Sequence, residues 1–223
     1  MNIHSRSFAP SDLPPQPPTP RQAEILDRAT ELVAESGLAQ LTMKRLADRV
    51  GFTEPAIYRH YPGKSALLAA MIERLGGRLL ETIEEIAGNR ALAPQERLLA
   101  MVRHHVALLR ATRGLPILIL AEGLASGDQV LMEGVGGVMR RYLALLGGVL
   151  SELGLDAGVP FDRQAILFLG LPAAIGIQLR AFPDLALSDA ETDRLVRHYV
   201  RSLTTTPAAL DAPLDGTSGQ EAR

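Results

Sequence analysis

Tyr58, Arg59, His60 and Tyr61 stand in a row, with Lys64 three residues on, in a chain that has only four tyrosines. Phenol, imidazole and ammonium groups donate hydrogen bonds to phosphate oxygens, and a guanidinium reaches either a phosphate or a guanine edge. Catalysis asks for something else, a convergent set of acids, bases or metal ligands. The five histidines (His4, His60, His104, His105 and His198) fall in no HExxH or ExxH pattern, and there is no phosphate-binding loop. The chain has no cysteine, which removes disulfides, thiolate nucleophiles and thiolate metal sites together. No catalytic residue, metal or cofactor is expected.

Something must hold those side chains outward. A helix-turn-helix needs a first helix ended by a left-handed residue, usually glycine, and apolar residues that lock the second helix across it. Leu46, Ala47 and Val50 give the inner face of one helix, with Ala47 small where the helices cross. Gly51 makes the turn, Ile57 packs from the next helix, and Thr42 and Thr53 stand at the N-cap positions. The second helix, from Thr53 to about Tyr61, is too short to be amphipathic on its own account, so its exposed side chains serve another purpose. Its N-terminal end, Thr53 to Ala56, suits a major groove. The alternative is a helical hairpin with a merely solvated polar face. From Thr42 to Lys64 there are five bases (Lys44, Arg45, Arg49, Arg59, Lys64) and two acids (Asp48, Glu54), a placement that favours a polyanion.

The stretch "LTMKRLADRVGFTEPAIYRHYPGKSALLAAMI", residues 41 to 72, resembles the DNA-binding region of the TetR family of one-component transcriptional regulators. It shares a threonine, an alanine-bearing helix, glycine, a tyrosine central to the recognition helix, a further aromatic, and a lysine that opens the fourth helix. The resemblance covers roughly residues 20 to 72 and is architectural beyond. It implies phosphate contacts from Thr42, Lys44, Tyr58, His60 and Lys64, a core aromatic at Tyr61, and a base-reading surface made of Thr53, Glu54, Pro55, Ala56 and Arg59. Glu54 departs from the small or amide residues often found there. It either accepts from a cytosine amino group or faces solvent in the first turn, where an acid suits the helix dipole.

Helical spacing runs through the rest. The first helix starts at a capping box, Thr19 with Gln22, has Pro20 in its first turn, and stops at Gly37. A long fourth helix runs from Lys64 to about Gly88; Pro94 opens a fifth, Gly114 with Pro116 separates a sixth, Asp128 caps a seventh, Pro160 precedes an eighth, and Ser188 with Glu191 box a ninth ending near Leu203. Nothing alternates with period two over a useful length. The expected fold is all-α, an N-terminal three-helix helix-turn-helix DNA-binding domain followed by a larger helical-bundle ligand-binding and dimerisation domain. Breaks or bends are expected in 128–154, where each of five glycines costs about 1 kcal/mol relative to alanine, and in 161–182 at Pro172.

The predicted boundaries are a disordered Pro-rich lead at 1–18, the DNA-binding domain at 19–65, the effector-binding and dimerisation domain at 66–205, and a disordered tail at 206–223. The N-terminus lacks the apolar segment of a signal peptide, apolar runs stop short of a span, and "AILFLGLPAAIGI" at 165–177 reads as a buried helix. The expectation is a cytoplasmic protein, nucleoid-associated when bound to its operator, with no membrane partner. A formal charge of −2 puts any DNA affinity on a local patch.

By the resemblance, the last two helices form a dimer bundle, so a homodimer through 161–204 is expected, with Gly170, Ala173, Ala174 and Gly176 permitting close approach either between subunits or within the chain. The remaining helices should enclose a pocket for a small apolar effector, with Met101, His105, Leu108, Leu118, Glu122, Met132, Met139 and Gln178 as candidate lining, although a lone helical histidine is more often a surface or satisfied core residue. Aromatic residues are 4% of the chain, little material for cages that hold flat cations, so an elongated lipid-like acid or acyl compound is favoured. Gly76 and Gly77 within the fourth helix are a hinge, or else a point of close packing. The expected function is a ligand-released repressor on a near-palindromic DNA operator. The alternative is a constitutive DNA-binding adaptor that acts through protein contacts without a small-molecule ligand, with a collapsed core where the first reading needs a pocket.

Overall fold

The computed structural model describes residues 18–154, 161–185 and 187–204. Both the Pro-rich lead, but for Pro18, and the C-terminal tail lie outside the described residues. Those residues divide into two compact units, one ending at Lys64 and one starting at Ser65.

In the first unit α1 spans Pro20–Ser36, α2 Met43–Val50 and α3 Glu54–His60, with one 3-10 turn at Leu38–Gln40. The Thr19 amide donates to Gln22 Oε1 at 3.0 Å and the Gln22 amide to Thr19 Oγ1 at 3.3 Å, so the box that starts α1 is closed in both directions. Thr42 Oγ1 accepts from the Arg45 amide at 3.1 Å and starts α2. Gly51, at φ 76° and ψ 31°, ends it in a conformation that costs a residue with a Cβ. Ile25, Leu26, Ala29, Leu32 and Val33 line the inner face of α1, and Leu46, Ala47, Ile57 and Tyr61 are buried with them.

The second unit contains α4 (Lys64–Gly88, whose first residue closes the first unit), α5 (Pro94–Ala111), α6 (Leu115–Ser126), α7 (Gln129–Ser151), α8 (Phe161–Ala181) and α9 (Asp189–Thr204), with a second 3-10 turn at Pro183–Leu185. No strand occurs among the described residues. Asp128 caps α7 by accepting from the Leu131 amide at 3.1 Å, and Ser188 and Glu191 close their box before α9. The core joins α4, α5, α7, α8 and α9 through Leu79, Ile83, Leu98, Val102, Tyr142, Leu146, Phe168 and Val196.

Two expectations need correction. Neither α7 nor α8 is broken. Leu131, Val135, Tyr142, Leu146, Val149 and Leu150 bury one continuous face of α7, and burial at about 1.5–3 kcal/mol for each large side chain outweighs about 1 kcal/mol per glycine. In α8, Pro172 is buried and the helix continues across it, although its ring withholds the N–H that the Phe168 carbonyl would otherwise receive. The second correction concerns the depth of α8. Ala165, Phe168, Pro172 and Ile175 are buried, whereas Ile166, Leu167, Gly170, Ala174 and Ile177 are exposed, so only one face of this apolar helix is covered within the chain.

Candidate functional site

The turn between α2 and α3 is fixed by backbone bonds: the Gly51 and Phe52 amides both donate to Ala47 carbonyl oxygen, the second at 2.9 Å. The Arg21 guanidinium sits 4.5 Å from the Phe52 ring centroid and holds the turn to α1. Ile57 is fully buried, and Tyr61 is 6% exposed with its hydroxyl donating to the Gln22 carbonyl at 3.4 Å. The two tyrosines therefore divide: Tyr61 belongs to the core and Tyr58, at 44% exposure, points outward. Thr42, Lys44, Thr53, Pro55 and Arg59 are also exposed, and Glu54, Ala56, His60 and Lys64 are half-buried. Thr53 sits at the N-cap of α3 but makes no side-chain cap bond, so the expected capping role falls only to Thr42.

The bases of this stretch are not equivalent. Arg49 Nη1 donates to Glu35 Oε2 at 2.8 Å, a bond that holds the Glu35 carboxyl below its ordinary range. Arg45 Nη1 donates to Gln40 Oε1 at 2.7 Å. Both are spent on the scaffold. Lys44 and Arg59 form no ion pair among the described residues. The exposed α3 surface thus offers hydroxyl, phenol and guanidinium donors that the fold itself does not consume, and a single acid, Glu54.

In the second unit a cavity of about 130 Å³ lies between α4, α5, α6, α7 and α8. Ile72, Leu75, Gly76 and Leu79 of α4, His105, Leu108 and Leu109 of α5, Pro116, Ile117 and Leu120 of α6, Val135, Val138 and Met139 of α7, and Leu169 and Ala173 of α8 line it. An apolar cavity of about 150 Å³ stays dry and accepts a nonpolar guest. Of the residues expected from sequence, His105, Leu108 and Met139 come together here. The other five do not line it. Met101 is wholly buried in the core, Leu118 and Glu122 are half-buried on α6, the Met132 sulfur packs against Gly123, and Gln178 Nε2 donates to the Leu185 carbonyl.

His105 is 6% exposed, and its Nδ1 has no hydrogen-bond partner. Burial, and then the neighbouring His104, push its imidazole down to about 4, so it is neutral at ordinary pH. The Tyr142 ring meets it edge-on at 5.2 Å between centroids, and the Tyr142 hydroxyl, buried without a partner, is raised far above its ordinary value by desolvation.

The apolar spacing of α4 does not announce its share in the cavity, because periodicity gives a buried face without saying whether another side chain or a void lies opposite. Gly76 carries the one available hint. It is buried against α7, whereas Gly77 is exposed with open space beside it. Gly176 likewise meets Ile117 of α6, so its smallness serves packing within the chain.

Residues 25–71 match the family model described as bacterial regulatory proteins, tetR family. Over 139 residues, 62% of this chain and 70% of the other, the sequence is 28% identical to the fatty acid metabolism regulator protein of Bacillus subtilis (strain 168). Over 186 residues, 82% and 84% of the two chains, it is 27% identical to the nucleoid occlusion factor SlmA of Marinomonas sp. (strain MWYL1). The crystal structure of the transcriptional regulator FadR from Bacillus subtilis in complex with stearoyl-CoA has a similar fold, with a TM-score of 0.65 at 20% identity over 82% of this chain and 97% of that one.

Proposed function

We propose that this chain, whose residues 25–71 match the tetR family of bacterial regulatory proteins, is a homodimeric repressor which binds a near-palindromic operator and is released by an elongated apolar effector of acyl type. The observation that carries this reading is α4: the helix that Lys64 opens also gives Ile72, Leu75, Gly76 and Leu79 to an apolar cavity. A guest that reshapes the cavity acts on the helix that leads into the DNA-binding domain, and such coupling needs only different affinities for two states.

In this reading residues 19–65 form the DNA-binding domain and 66–205 the effector and dimerisation domain. Tyr58, His60, Lys44, Lys64 and Thr42 hold phosphates, while Arg59, Glu54, Thr53, Pro55 and Ala56 face bases. The exposed apolar stripe Ile166, Leu167, Gly170, Ala174 and Ile177 of α8 supports a dimer through 161–204, and two recognition helices about 34–36 Å apart then read a palindrome. Bending at Gly76 and Gly77 passes the signal along α4. The protein works in the cytoplasm, on the nucleoid when bound to its operator. The likeness to the fatty acid metabolism regulator, and to a fold solved with stearoyl-CoA, favours an acyl effector. Likeness to SlmA over a larger share of the chain supports the second reading, a DNA-binding adaptor without a small-molecule ligand.

The test is selection of duplexes from a random pool by the full-length protein, followed by anisotropy titration of the recovered sequence with decanoyl- and stearoyl-CoA. A palindromic site released by either thioester supports the repressor. A site held equally tightly at saturating thioester supports the adaptor, and recovery of no preferred sequence removes both.

A further inference from the structure

His105 is the single cavity-lining residue whose side chain carries a nitrogen or oxygen atom. It is 6% exposed and its Nδ1 is buried without a partner. Its imidazole is thus the one hydrogen-bonding side chain that this cavity wall offers a guest. No lysine, arginine or carboxylate lines the cavity to complement a charge. We propose that the cavity takes a guest whose end at His105 is an uncharged oxygen group, a hydroxyl or the carbonyl of a ketone, ester or thioester, and that it turns away free carboxylates. This rests on the reading of the cavity as the effector site.

Desolvation decides between the two kinds of guest. A carboxylate brought against these aliphatic side chains loses its water and gains at best one hydrogen bond from a neutral imidazole, with no cation to balance it. Histidine could supply the cation only if it were protonated, and burial and His104 keep its imidazole neutral down to about pH 4. A hydroxyl or carbonyl loses far less water and can be met by the neutral imidazole, which has one donating and one accepting nitrogen. Tyr142, edge-on to the imidazole with its ring centroid 5.2 Å away, braces the ring in place.

The experiment is calorimetric titration of the full-length protein at pH 7.5 with three probes of equal chain length: 1-decanol, 2-decanone and sodium decanoate. At least one neutral probe is expected to bind at least about tenfold more tightly than decanoate, a ratio worth about 1.4 kcal/mol. His105→Leu should remove most of that advantage and His105→Gln should keep part of it. Decanoate binding as tightly as both neutral probes overturns the proposal, with no variant needed. So does an unchanged preference in His105→Leu. If none of the three binds, the effector-site reading itself fails and this inference falls with it.

Discussion

Gly76 on α4 lies so close to Val138 on α7 that a Cβ at position 76 would stand 2.3 Å from Val138 Cγ2. Valine is stiff at χ1, so the clash cannot be relieved by swinging a long side chain aside. Gly76→Ala should therefore destabilise the protein by about 1–3 kcal/mol through overpacking. Gly77 has nothing within 4 Å, and Gly77→Ala should stabilise by up to about 1 kcal/mol through helix propensity. Urea unfolding of both variants checks the pair. A hinge role adds a separate outcome: Gly77→Ala would leave operator affinity intact but weaken release by effector.

Acid should unfold the protein in two stages. His105 in the folded state is pushed down to about 4 from an ordinary 6.5, so the unfolded chain takes up its proton first. Stability then falls as pH drops from about 6.5 toward 4, by a total on the order of 3 kcal/mol. Glu152 leads the second stage, to which Glu35, Asp128, Glu191 and Asp193, each held below its ordinary value by hydrogen-bond donors, also contribute. The Arg97 guanidinium, 2% exposed, donates to the Glu152 carboxylate and to the Ala87 carbonyl at 2.7 Å, and Arg90 joins from the surface. Glu152 is thereby held at about 2. Its contribution is complete above about pH 4.3 and disappears as pH falls toward 2. His105→Gln should abolish the first stage and Glu152→Gln should shrink the second, as read from denaturation midpoints at pH 7.5, 5, 4 and 2.5.

Thr42 and Thr53 should separate folding from DNA contact. Thr42 Oγ1 caps α2, so Thr42→Ala should lose about 1 kcal/mol of stability. Thr53 caps nothing with its side chain, so Thr53→Ala should leave the thermal midpoint where it was and reveal any loss of operator affinity as a direct effect. A large drop in midpoint for Thr53→Ala would assign that hydroxyl to the fold.

Phosphate-holding and base-reading residues should differ in salt dependence. Lys44→Ala and Lys64→Ala should weaken binding to every duplex and flatten the plot of log affinity against log salt by about 0.9 for each phosphate no longer neutralised. Tyr58→Phe should weaken all sequences without that change in slope. Arg59→Ala and Glu54→Gln should instead reorder the preference among operators, with about 1–3 kcal/mol at stake for a bidentate base contact. Anisotropy at four salt concentrations against two duplexes decides each assignment.

The helix starts were legible because capping is local: Thr19 with Gln22, Thr42, Asp128, and Ser188 with Glu191 each act within three residues. The helix-turn-helix was legible for the same reason, with Gly51 and Ala47 four residues apart. What stayed hidden depends on distant partners. Nothing local to Arg97 marks it as buried, yet it is 2% exposed and its guanidinium meets Glu152, 55 residues away. Met101 and Met139 look alike in sequence; one is core and the other lines the cavity, since that depends on what faces each helix. The continuity of α7 was likewise decided by burial that glycine counts do not register.

The exposed face of α8 gives the last prediction. Leu167 is 62% exposed and Ile177 50%, and Gly170 and Ala174 between them leave the backbone approachable along one stripe. Isolated exposed apolar residues are ordinary, but a continuous stripe along a helix marks an interface. An ionised side chain there would have to be desolvated without a partner for two copies to associate. Leu167→Glu is therefore expected to turn a dimer into a monomer in native mass measurements. Because Leu167 packs so little within its own chain, the variant should keep a cooperative unfolding transition. Its operator affinity should collapse while weak binding to nonspecific duplex persists, since each half-site then binds alone. A variant that remains dimeric would move the interface off this face of α8, and a monomer that keeps full operator affinity would remove the palindrome from the proposed function.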